Sequence, residues 1–145
     1  MKALGVAGEW GAVWAGLGVA GAVVDRKRRA RWLRAAVVGP PAIGVNYAVK
    51  RAVGRERPVL EGHPRLSRAP SKLSFPSAHA TSSVAAATAI GRVRPVLRLP
   101  AYGLAAAVCV GRPYLGMHYP SDVLAGAVLG YAIGRLVPGL DSESP

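Results

Sequence analysis

The sequence predicts an all-α protein, a polytopic membrane helical bundle with about five transmembrane helices, and two observations predict it. Hydrophobic residues make up 51% of the 145 positions, yet the formal net charge is +12 and the mean hydropathy is +0.26. That pairing is awkward for a small water-soluble globule and suits a chain whose charges are gathered into loops. The charges are indeed blocked. Residues 3–24 carry only Glu9, and residues 35–49, 77–91, 99–111 and 123–134 carry none. Five apolar segments between polar loops read as five membrane crossings, and a backbone in hydrocarbon must be helical to satisfy its own hydrogen bonds. Several segments fall short of the ~20 residues of a usual span, so flanking residues have to extend them. A small soluble domain with buried helices is the competing reading of the same pattern. The length allows one domain, residues 1–145.

The first segment has only Lys2 ahead of it and no small-residue cleavage pattern, so it reads as a span and not as a signal peptide. Trp10, Trp14 and Trp32 bracket it as interfacial aromatics would. A basic loop, 26–34, follows. Pro40 and Pro41 are expected to kink or interrupt the second segment, which ends near Lys50. The connection 51–75 is long, with Pro58, Pro64, Pro70 and Pro76 at six-residue intervals, which opposes helix and favours turns. Arg65, Arg68, Lys72 and His63 in it read as ordinary loop residues. Cys109, the single cysteine, lies inside the fourth segment and reads as packing. Gly126, Gly130 and Gly134 line one face of the fifth helix and permit close helix approach, within the bundle or across a dimer interface.

Five spans put three polar stretches on one side: Lys50 to Pro58, Pro76 to His79, and Arg112 to Asp122. The basic stretches 26–34 and 92–98 fall on the other side, where the positive-inside rule places the cytoplasm. This locates the three stretches on the non-cytoplasmic side of an inner (plasma) membrane.

Each stretch suits phosphate chemistry. Pro120 is well placed to begin a helix, which puts Asp122 in its first turn, and His118 just before it comes within reach of that carboxylate. A carboxylate holding one imidazole nitrogen leaves the other oriented as a nucleophile; a helix-capping aspartate beside an interfacial histidine is the plainer reading. Pro76 can begin another helix whose first N–H groups, at Ser77, Ala78 and His79, bind anions. His79 could deliver a proton near neutral pH. Lys50, Arg57 and Arg112 supply fixed positive charge for phosphoryl oxygens, or else are snorkelling cations at a surface.

The order and spacing of these residues resemble the type 2 phosphatidic acid phosphatases, which share a fold with vanadium haloperoxidases. The family pattern is Lys, six residues, Arg-Pro; then Pro-Ser-Gly-His; then Ser-Arg, five residues, His, three residues, Asp. The chain matches with Lys50 and Arg57-Pro58, with Pro76-Ser77-Ala78-His79, and with Arg112, His118 and Asp122, within a motif-bearing core of residues 50–122. The resemblance implies that His118 forms a phosphohistidine, Asp122 orients it and His79 is the general acid. It implies too that Lys50, Arg57, Ser77, the Ala78 amide and Arg112 hold the phosphoryl oxygens. Ala78 stands where the family has glycine, which works if only its N–H is used and φ is negative. Gly111 stands where the family has serine and lacks that hydroxyl. The family's membrane members commonly have six spans; this chain shows five.

The expected activity is therefore hydrolysis of a lipid phosphate or diphosphate, polyprenyl-type or phosphatidate-type, with membrane lipids as surroundings and no cofactor or metal. With seven acidic residues in all, the chain is poor in ligands for a two-metal site. Two alternatives are a haloperoxidase-like vanadate-binding relative and a non-enzymatic membrane protein whose basic loops bind anionic lipids. Nucleic-acid binding is disfavoured, because the cations alternate with apolar segments and form no single basic face. Oligomeric state is open.

Overall fold

A computed structural model describes residues 11–58 and 71–141. The described residues form six α-helices: α1 (Ala12–Val24), α2 (Arg29–Ala36), α3 (Gly39–Val53), α4 (Ala78–Val93), α5 (Arg98–Tyr114) and α6 (Pro120–Leu136). Five of them coincide with the apolar segments. The sixth, α2, lies in the basic stretch expected to be a loop. Its Trp32, Ala35 and Ala36 are buried while its arginines lie at the outer side, so an amphipathic helix of about two turns was hidden by charge.

The all-α class stands, but no helix among the described residues is long and apolar enough to cross a membrane. The long helices run 13 to 17 residues, short of the ~20 of a span. Several also carry charge near their ends, such as Lys50 and Arg51 in α3 and Arg98 and Arg112 in α5. Helix α4 sits at the centre, buried around nearly its whole circumference from Ala80 to Val93. Its neighbours pack inward on it and turn large apolar side chains outward: Val23 and Val24 of α1, Leu99 and Val110 of α5, Leu124, Val128 and Leu136 of α6.

The glycine stripe of α6 faces α4. A Cβ on Gly126 would meet the Ser77 carbonyl oxygen at 2.6 Å, one on Gly130 would strike the Thr81 carbonyl, and one on Gly134 would lie 2.7 Å from the Ala85 carbonyl. The stripe therefore serves packing within the chain. One expectation is corrected and another is met. Trp14 and Trp32 are core residues, 5% and 4% exposed. Trp14 Nε1 donates to Ser83 Oγ of α4 at 3.1 Å, and Trp32 lies against Gly21, where a Cβ would enter its ring. Their rings fill space left by the alanines and glycines around them; Trp10 lies outside the described residues. Pro40 and Pro41 occupy the first turn of α3, where a missing N–H costs nothing. They interrupt the second segment at residues 37 and 38, between α2 and α3.

Alternation of helix direction brings the end of α3, the start of α4, the end of α5 and the start of α6 to one end of the bundle. At the other end Arg94 and Arg28 share Asp25, and Arg92 binds Asp141 and the Gly134, Arg135 and Val137 carbonyls.

Candidate active site

The first motif leaves α3 through Gly54, whose φ of 67° is readily available only to glycine. The chain then pairs with the segment that leads into α4. Glu56 and Leu73 form an antiparallel bridge, with the Arg57 N–H donating to the Lys72 carbonyl at 3.1 Å and the Ser74 N–H to that of Arg55 at 2.8 Å. Cations of the first motif are thereby held by backbone of the segment leading into the second and, for Arg57, of the third. Lys50 Nζ donates to the Leu73 and Ser74 carbonyls, each at 3.3 Å. Arg57 donates through Nε to the Ser71 carbonyl at 2.9 Å and through Nη1 to that of Met117 at 2.7 Å.

Helix α4 starts at Ala78, with Ser77 as its N-cap accepting from the Ala80 N–H at 3.5 Å. This corrects the expectation that Pro76 begins the helix and leaves the Ser77 N–H for an anion. That N–H donates to the Asp122 carbonyl at 2.9 Å and ties the second motif to the third. The Ser77 hydroxyl, accepting with one lone pair, can still donate its proton. Ala78 and His79 are half-buried in the first turn, where N–H groups have no intrahelical partner. No described non-glycine residue has positive φ, so the Ala78 amide is presented without strain. Asn46 of α3 braces this turn by donating to Thr81 Oγ1 at 2.9 Å and to the Pro76 carbonyl at 3.3 Å.

Helix α6 begins at Pro120. Asp122 in its first turn is 0% exposed and accepts the Tyr119 N–H on Oδ2 at 2.9 Å. The same oxygen lies 3.7 Å from His118 Nδ1, longer than a hydrogen bond, as catalytic pairs often are before substrate tightens them. His118 Nε2 lies 3.2 Å from Arg57 Nη1. A guanidinium offers no acceptor, so Nε2 carries the lone pair and the ring proton sits on Nδ1, facing Asp122. Burial first, then the charges of Arg57 and Lys50, push the imidazole down to about 3. His118 is therefore neutral at physiological pH, with a lone pair directed among cations. Arg112 Nη1 lies 3.4 Å from His79 Nε2, and the charges of Arg112, Arg57 and Lys50 all reach His79.

All eight residues singled out by the sequence meet in this one cluster. Lys50, Arg57 and Arg112 are 3%, 6% and 7% exposed, and among the described residues Asp122 is the carboxylate buried with them. Guanidinium and ammonium groups gathered beside His118 and His79 suit the binding of a phosphoryl dianion. Among the described residues no three His, Cys, Asp or Glu side chains come together in a metal-ligating group. One residue escaped the sequence: Arg55 Nη1 donates to Asp122 Oδ1 and to Ser121 Oγ, each at 3.0 Å. The available signal was a lone motif carboxylate facing an extra arginine in the first motif.

The chain matches the PAP2 superfamily over residues 30–143. A decaprenylphosphoryl-5-phosphoribose phosphatase of Mycobacterium tuberculosis is 40% identical over 131 residues, covering 86% of this chain and 69% of the relative. The protein of the same name from Mycolicibacterium smegmatis is 39% identical over 132 residues, covering 86% and 68%. Among solved structures, a transmembrane PAP2-type phosphatidylglycerolphosphate phosphatase from Bacillus subtilis superposes with a TM-score of 0.66 at 29% identity. That match covers 86% of this chain, which spans 65% of the length of the solved one.

Proposed function

The chain belongs to the PAP2 superfamily, and on that premise we propose that this phosphatase removes the phosphate monoester from a polyprenyl-linked phosphosugar through a phosphohistidine on His118. One observation carries the reading. His118 Nε2, bearing its lone pair, lies 3.2 Å from the Arg57 guanidinium, and the Lys50 charge also reaches the ring.

In this mechanism Nε2 of His118 attacks phosphorus, forming a P–N bond as the P–O bond to the sugar breaks. His79 passes a proton to the departing oxygen. Phosphoryl oxygens are better acceptors for Arg112 than an imidazole is, so their arrival frees His79 Nε2 to carry that proton. Water then attacks phosphorus, His79 takes its proton, the P–N bond breaks and inorganic phosphate leaves with His118 neutral again. Lys50, Arg57, Arg112, the Ser77 hydroxyl and the Ala78 amide neutralise the charge spread over the equatorial oxygens, the role a metal ion takes in other phosphatases.

The substrate class follows the relatives, whose named substrate is a decaprenyl-linked phosphoribose. A polyprenyl carrier also suits the outward apolar shell, where Val24, Leu99 and Leu136 are 85%, 84% and 80% exposed. A surface of that kind favours membrane association. With the Arg26–Arg28 and Arg92 end on the cytoplasmic side, the catalytic end of the bundle faces outward from an inner membrane.

Detergent-purified protein assayed in chelator for phosphate release tests the proposal. The panel is a polyprenylphosphoryl-5-phosphoribose, phosphatidylglycerolphosphate and phosphatidate. The polyprenyl substrate is expected to give the highest kcat/KM, without added metal. Preference for either glycerolipid would overturn the substrate class, and activity that depends on magnesium would overturn the mechanism.

A further inference from the structure

Asp122 faces His118 with one carboxylate oxygen, and what holds its other oxygen is a residue outside the motif pattern. Arg55 Nη1 bridges Asp122 Oδ1 and Ser121 Oγ at 3.0 Å each. Its guanidinium lies over the Phe75 ring, 5.1 Å from the centroid, and 5.9 Å from that of Tyr119. Those rings come from the residue before the second motif and from the third motif, so the arginine is held by both of the other segments of the site.

We propose that Arg55 is a positioning residue for the phosphohistidine reaction, one that fixes the plane of the Asp122 carboxylate and through it the ring and tautomer of His118. The inference rests on the reading of His118 as nucleophile. An ordinary surface salt bridge contributes little, because both partners are solvated and mobile. This pair is different. The arginine side chain is 44% exposed, but the carboxylate is 0% exposed and cannot turn to water for a replacement donor. With Oδ2 bound to the Tyr119 N–H and Oδ1 to Arg55, the carboxylate cannot rotate about its Cβ–Cγ bond. Without Arg55 one fixed point remains, and the 3.7 Å approach to His118 Nδ1 is no longer set. Aromatic faces on the guanidinium restrict it in turn, which a lysine ammonium could not reproduce.

A double-mutant cycle separates positioning from a merely structural role. Arg55→Met is expected to lower kcat roughly ten- to hundredfold, the scale of about 1 Å of misplacement at a reacting group. KM should stay near the wild-type value and Arg55→Lys should recover part of the loss. In an Asp122→Asn background the same substitution is expected to cost less than about twofold, since the contact it removes has already lost its function. Equal losses in both backgrounds, or a loss confined to KM, would overturn the proposal. If Arg55→Met fails to unfold cooperatively, the cycle runs with Arg55→Lys and is read in the same way. Nitrogen NMR of the His118 ring reads the contact without turnover: the Nδ1–H tautomer should lose population in the Arg55 variant. A wild-type protein inactive on every lipid phosphate, with this tautomer shift intact, would sink the proposed activity and leave the positioning role standing. An unchanged tautomer would sink the positioning role.

Discussion

Gly130→Ala adds one methyl group to α6, and the structure fixes where it would go. Its Cβ would lie 3.0 Å from the Ala85 nitrogen and the Thr81 carbonyl carbon, and closer still to the Thr81 carbonyl oxygen. Carbon contacts are comfortable at ~3.5–4.0 Å, so α6 must retreat by on the order of 1 Å. Every clashing atom is backbone of α4, and α4 is enclosed by the rest of the bundle, so little of the strain can be relieved there. Overpacking of this kind costs about 1–3 kcal/mol, offset in part by the ~1 kcal/mol that alanine gains over glycine in a helix. Helix α6 also carries Asp122, whose carbonyl accepts the Ser77 N–H. A retreat at Gly130 therefore pulls the carboxylate away from the second motif, and a displacement of that size can cost about 10²-fold in rate. Gly103→Ala is the control, because a Cβ there meets nothing within 4 Å; it should be neutral to stabilising by up to ~1 kcal/mol. Thermal unfolding in detergent, with phosphate release on the same preparations, checks both. If Gly130→Ala matched the Gly103→Ala protein in stability and turnover, the packing account of the stripe would be refuted.

Two further outcomes follow from the site. His79→Ala should lower kcat by ~10²–10⁴-fold through lost leaving-group protonation, and an aryl phosphate, whose leaving group needs no proton, should recover part of it; equal losses on both substrates would remove His79 as the acid. Because His118 is depressed to about 3 when folded against ~6.5 unfolded, the unfolded chain binds the extra proton between those values. The stability tied to its neutral burial is complete above ~6.5 and drains away as pH falls toward about 3. Thermal unfolding compared at about pH 7 and about pH 4 should show a smaller drop in His118→Gln than in wild type, and identical drops would contradict the burial of a neutral ring.

What the sequence made legible is what local chemistry encodes. The charge-free blocks marked five of the six helices, Pro120 marked the start of α6, and the i, i+4 glycines marked its inward face. The eight site residues were singled out by their match to the family's spacing, and helix alternation carries that sequence order to one end of the bundle. Other features depend on partners far along the chain. Trp14 looked interfacial because its type is common at membrane surfaces, while its actual role comes from Ser83, 69 positions away. Arg55 was one basic residue among several until folding set it against Asp122, 67 positions away. Helix α2 was masked by its own arginines, which lie at the outer side while Trp32, Ala35 and Ala36 carry the packing. The glycine-versus-serine difference at 111 proved sterically open, since a Cβ there meets no atom within 4 Å.

Covalent catalysis by His118 is the centre of the account, and trapping the phosphoenzyme tests it most directly. Protein mixed with radiolabelled substrate and quenched in alkali should retain label as an acid-labile, base-stable phosphoramidate that maps to the peptide bearing His118. Label should persist in His79→Ala and be absent from His118→Ala. Stoichiometric label in the His118→Ala protein, or near-normal turnover by it in a clean membrane preparation, would contradict the account.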